Sequence, residues 1–172
     1  MIIGCTSPDV ARSVDGFMLR AQACEHHASL GLERDAPVLK ELSAFLKKGG
    51  VPSTNVVALI QQDQRAFALI AQAYHADAWP LPDITSYSLK NLDTYISSWI
   101  SLNRVATAQA IQLYLDHSAQ EACSFLAPFN AVSLQVSKTG PNWEQMGTGS
   151  RAGELGTCHD KLPLWFFLSG RC

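Results

Sequence analysis

The stretch "ALIQQDQRAFALIAQAY", residues 58–74, decides what kind of fold this chain can build. Just upstream, Ser53 or Thr54 can cap a helix, and Val56, Val57, Leu59 and Ile60 follow at helical spacing. The polar run from Gln61 to Gln64 interrupts that pattern, and Ala66, Phe67, Leu69, Ile70 and Ala73 resume it. Two short helices are therefore expected, with Asp63 near the start of the second. Each has one apolar side and needs other helices to cover it.

The flanking segments supply them. From Pro8 to Ala28, apolar residues recur at Val10, Val14, Phe17, Met18, Ala21, Cys24 and Ala28, one face of a first helix. A second helix is expected from an Asp35 cap with Pro37 in its first turn. It carries Val38, Leu39, Leu42, Phe45 and Leu46 on one side and stops at Gly49-Gly50. "WPLPDI", residues 79–84, breaks the chain, because prolines at 80 and 82 cannot sit inside a helix. Ser88 begins another helix, with Leu89, Leu92, Tyr95, Ile96, Trp99 and Ile100 on its apolar face. A further helix runs from about Asn103 to Leu126 and ends before Pro128. A Gly-rich loop near residues 137–157 leads to the short apolar "KLPLWFFLSGRC". No alternation argues for a sheet. The fold class is all-α, a compact multi-helix domain over 1–172. It divides into an N-terminal helix (1–30), a helical core (35–127) and a loop-rich C-terminal segment (128–172).

Composition narrows the function. Hydrophobic residues make up 47% and charged ones 16%, against a usual charged share of roughly a quarter, so part of the surface is open to apolar contact. With 13 Lys+Arg, 15 Asp+Glu and a net charge of −2, the positive field that non-specific nucleic-acid binding needs is missing. No apolar run is long enough to span a membrane, and no basic-then-apolar N-terminus marks a signal peptide. The five cysteines are widely spaced without C-x-x-C, which points to reduced thiols and a cytoplasmic location.

The order of features from Leu39 to about Ala127 resembles the HDOD domain, the HD-related output domain of bacterial signalling proteins. In that comparison "ALIQQDQRAFALIAQAY" matches the family's helix–aspartate–helix stretch, with Asp63 at the aspartate. "ITSYSLKNLDTYISSWISL" (84–102) follows the proline-bearing loop, and "YLDHSAQEACSFLA" supplies His117-Ser118 and Ala122. "GELGTCHDKLPL" (153–164) stands where the family has its His-Asp motif. Tyr74 replaces an expected asparagine, and Ile96-Ser97 an expected Leu-Gly. The glycine two residues after the His-Asp pair is also missing.

The resemblance implies an all-α module that binds a partner protein or regulatory domain without chemistry of its own and with no required cofactor. It also implies a second reading. Catalytic HD-type phosphohydrolases bind divalent metal through a first histidine, a His-Asp pair and a later aspartate. The ion polarises a phosphoryl oxygen and generates hydroxide from bound water. The matching positions are His117, His159 and Asp160. No acidic residue follows Asp160 to complete the set. His159-Asp160 equally suits a turn or cap, and His117 with Glu121 a surface pair. A third reading is a stand-alone inhibitor or immunity-type helical protein. Elsewhere, "CEHH" (24–27) is expected to place a buried thiol and a surface histidine one turn apart. Tyr87, Tyr95 and Trp99 are expected to form a core stripe.

Overall fold

The interruption at Asp63 does separate two helices. The computed structural model describes residues 14–32, 36–79 and 89–139. They form α1 (Gly16–Ser29), α2 (Pro37–Lys48), α3 (Thr54–Gln62), α4 (Gln64–Tyr74), α5 (Leu89–Asp116) and α6 (Ala119–Thr139). Among the described residues there is no strand, only one isolated parallel bridge between Asp15 and Ala78. The fold is all-α. No helix of the described residues is long and apolar enough to cross a membrane.

The helix starts follow capping chemistry. Ser53 caps α3, its hydroxyl accepting from Val56 N–H while donating to the Glu41 carboxylate at the side of α2. Asn55 donates to the same carboxylate at 3.0 Å, so Glu41 ties two helices together. These bonds, Ser53 first, hold the Glu41 carboxyl below the usual glutamate range. Asp35 lies outside the described residues. The residue capping α2 is Ala36, which has no side chain to offer, and Pro37 sets the first turn instead. At the other end Gly49 and Gly50 adopt φ of 69° and 92°, a region that favours glycine, and α2 stops there as the sequence indicates.

Several helix boundaries differ from the sequence expectation. Val14 and Asp15 stand before α1, and Asp15 Oδ1 accepts from Met18 N–H at 3.0 Å, so the helix begins at Gly16. Further on, the two helices expected near 88–100 and 103–126 are one continuous α5. Nothing between Trp99 and Asp116 is a Gly or Pro. The polar side chains there bond back to their own helix, Asn103 to the Trp99 carbonyl and Thr107 to the Asn103 carbonyl. The real break falls at His117-Ser118. Ser118 caps α6, with Glu121 N–H donating to its hydroxyl at 3.2 Å. Ser-x-x-Glu at 118–121 is a capping-box pattern that the sequence reading passed over. Pro128 does not end α6 but lies inside it. It removes the N–H that would pair with the carbonyl of Ser124, an exposed residue on the water side. Meanwhile Ala122, Leu126, Phe129 and Val132 keep one face of α6 buried through the proline. Ser137 to Thr139, the first residues of the expected Gly-rich loop, belong to α6, and the rest of that loop lies outside the described residues.

α5 is the spine, about 42 Å long at 1.5 Å per residue. It packs on α6, α1, α2 and α3 through Leu102, Val105, Ala106, Ala108, Ala110 and Ile111, all fully buried. α4 completes the core. Phe67 meets Phe125 edge-on at 5.3 Å and Phe129 at 5.8 Å, and Trp99 stacks on Phe129. α1 lies most extensively against α4. Its N-terminus contacts residues just after α4: Val14 N–H donates to Asp77 Oδ1 and Gly16 N–H to the Ala78 carbonyl, each at 2.9 Å. Its C-terminus contacts the junction just before α4. The two helices therefore run antiparallel, with α1 held at both ends.

Two outcomes test these contacts. A Cβ at Gly16 would run into the Trp79 ring, so Gly16→Ala should cost about 1–3 kcal/mol in urea unfolding despite alanine's better helix propensity. The loss in the G16A/W79L double variant should be smaller than the sum of the two single losses. Ser53→Ala should raise the Glu41 pKa towards the ordinary value in a carbon-detected NMR titration. Because the folded value is lowered, this carboxylate stabilises the fold above its unfolded pKa. That contribution is lost as pH falls through the folded pKa, and the variant should show less of it.

Candidate functional site

The buried face of α1 carries two polar side chains, Arg20 and His27. It consists of Gly16, Arg20, Ala23, Cys24 and His27, spaced four, three, one and three residues apart. Of the apolar series expected to face inward, Cys24 is buried and Phe17, Ala21 and Ala28 are partly buried, but Val14 and Met18 are 49% and 54% exposed. The helix is rotated relative to the sequence expectation, because charged and imidazole groups occupy positions that apolar side chains usually fill.

His27 is one of them, and it corrects the expectation of a surface histidine. It is 4% exposed and its Nδ1 lies 2.8 Å from Asp63 Oδ2 and 3.0 Å from Oδ1. The ring N–H donates to a carboxylate that is itself wholly buried. Asp63 sits between α3 and α4 in the bridge region of backbone space and makes no side-chain cap to α4. Its carboxylate is turned towards α1 instead. Beside it, His26 Nε2 donates to the Gln62 carbonyl at 3.0 Å, so consecutive histidines grip consecutive residues at the end of α3. Cys24, one turn before His27, is a free buried thiol, as expected. Burial pushes it up to about 12, against the pull of the Arg20 charge, so it stays protonated and unreactive. The expectation of reduced cysteines throughout does not hold at Cys123 on α6, which is disulfide-bonded.

Arg20 is the second buried polar group. It is 2% exposed, and its guanidinium carbon lies 4.3 Å from the centroid of the Trp99 ring and 5.0 Å from that of Tyr95. Tyr95 and Trp99 are four residues apart on α5 and form one platform. Both are half-buried, so the expected aromatic stripe exists, but its use is to carry a cation as well as to pack on the core. Tyr87 lies outside the described residues. Cation–π contact in a desolvated place contributes about 2 kcal/mol, less than the several kcal/mol it costs to bury a lone charge. The Nε and Nη1 atoms of Arg20 have no hydrogen-bond acceptor.

Of the metal positions inferred from the sequence, only His117 lies within the described residues. His117 is exposed immediately after α5, at the opposite end of the helix from Tyr95. His117 and Glu121 are split across the α5–α6 break. His159 and Asp160 lie outside the described residues. Among the described residues no three His, Cys, Asp or Glu side chains cluster closely enough to hold a metal ion.

No family model, curated protein or solved structure matches the chain. A histidine oriented by a carboxylate is the arrangement of a general base, but a base must reach a substrate proton. With both groups enclosed between α1 and the α3–α4 junction, the geometry suits a structural clasp.

Removing one partner strands the other in a dry interior. Asp63→Ala should lower stability by about 3 kcal/mol in urea unfolding. Adding His27→Ala should cost much less than its single effect, with a coupling of about 1–3 kcal/mol in the double-mutant cycle.

Proposed function

We propose that this chain is a non-catalytic helical module that binds a protein partner, kin to the HDOD domains of bacterial signalling proteins. The observation that carries the reading is Val51. It stands between Gly50 and Pro52 in the α2–α3 turn and is 93% exposed. Its apolar side chain, turned to water, is available for burial against another chain. Val14 just before α1, Met18 on α1 and Ile100 on α5, each about half exposed, add apolar contact area. Support for the HDOD kinship is the pair of short helices meeting at Asp63, followed after a proline-bearing segment by a long helix. Asp63, the residue that the kinship aligns with the family's aspartate, has a structural task here in holding His27. That leaves binding as the work of the surface.

The test is co-purification of the full chain with its partner from its own cells. Val51→Asp and Met18→Glu should each weaken capture of one defined partner at least tenfold while leaving unfolding unchanged within about 0.5 kcal/mol. His117→Ala should leave capture intact. Retention of the partner by the V51D/M18E double variant would refute the proposed surface. Hydrolysis of phosphodiesters with bound Mn, Fe, Zn or Ni, lost in His117→Ala and Asp160→Ala, would replace the binding module with the phosphohydrolase. A toxin or enzyme as the captured partner, silenced by binding, would point to the inhibitor class.

A further inference from the structure

The guanidinium of Arg20 holds two buried donor atoms, Nε and Nη1, without an acceptor. Guanidinium groups keep their charge inside proteins, and their faces and edges do different things. The faces stack on aromatic rings, as here on Trp99 and Tyr95 at 4.3 and 5.0 Å. The N–H groups point out in the plane and seek oxygen. At Arg20 the Nε and Nη1 atoms, both buried, meet none. Among the described side chains no carboxylate forms an ion pair with Arg20. The one ion pair among them is His27 with Asp63, which occupies the nearby buried carboxylate. The remaining acidic residue of α1, Glu25, is exposed.

We propose that Arg20 is the receptor for an oxyanion, a carboxylate or phosphate group of a small ligand, held at the α1–α5 contact. Trp99 and Tyr95 fix the guanidinium plane, so the edge donors are oriented before the ligand arrives. A bound oxygen anion supplies both the missing acceptors and the missing counter-charge, which a neutral carbonyl would not. Because Arg20 is 2% exposed, the group it takes is compact. The inference is independent of the partner-binding surface, which lies on other residues.

The probes are sodium phosphate and sodium acetate, titrated into the full chain against sodium chloride at equal ionic strength. The first readout is the Arg20 Nε–H resonance in a nitrogen-15 NMR spectrum, assigned by its loss in Arg20→Met. Phosphate or acetate should move it with a saturating curve, and chloride should not. A response to phosphate alone assigns a phosphate-bearing ligand, and a response to acetate alone a carboxylate. The second readout is the thermal midpoint, which the binding anion should raise by a few degrees in the wild type and not in Arg20→Met. Equal midpoint shifts in both proteins, or an Nε–H resonance that neither anion moves to saturation, would overturn the proposal. If Arg20→Met does not fold, Arg20→Lys serves for the assignment, and the wild-type resonance titration decides.

Discussion

The bond between His27 and Asp63 sets how the first helix enters the bundle. A carboxylate in the interior must be paired, and the α3–α4 junction presents this one with no backbone cap to take its place. Only one rotation of α1 satisfies it. Turning the helix by one residue, about 100°, would carry the imidazole away and leave both groups stranded. The same rotation brings Arg20 inward onto Trp99 and Tyr95 and leaves Val14 and Met18 in water. One polar contact thus fixes which side of α1 is core and which is surface.

The clasp works with the contacts at the other end of the helix. Asp77 and Ala78 receive the first N–H groups of the segment while the Trp79 ring fills the space beside Gly16. Gln62 and Asp63 receive the side chains of its last turn. α1 is 14 residues long, close to the length at which an isolated helix is marginal in water, and its inward face sets Arg20 and His27 beside Ala23 and Cys24. It is held by polar groups at both ends of α4. The remaining helices depend on ordinary apolar burial, centred on Phe67, Trp99, Phe125 and Phe129.

Much of this was legible residue by residue. Apolar spacing located α2, α3 and α4, because their buried faces are made of the residues that burial favours. Gly49-Gly50 marked the end of α2 and Ser53 the start of α3 through local chemistry alone. The α5–α6 break was misplaced for an equally local reason. Proline at 128 is the louder signal, yet the Ser118–Glu121 capping box decides, because a proline inside a long helix anchored on both sides of it loses one bond and no packing. The candidate site was not legible. Apolar periodicity is blind to a face built from Arg20, Cys24 and His27, and a separation of 36 positions gives no local cue that His27 and Asp63 meet.

By itself, then, the sequence determined the helical class, the two short helices around Asp63 and the turns that separate α2 from α3. Those features are set by interactions within a few residues: side-chain spacing, caps and glycine's access to positive φ. Only the tertiary structure decided the rotation of α1, the continuity of α5 and the burial of Arg20 against Trp99 and Tyr95. Each of these depends on which distant group a side chain finds. For ionisable residues that choice is made by the cost of leaving them unpaired, a quantity that exists only once the helices have come together.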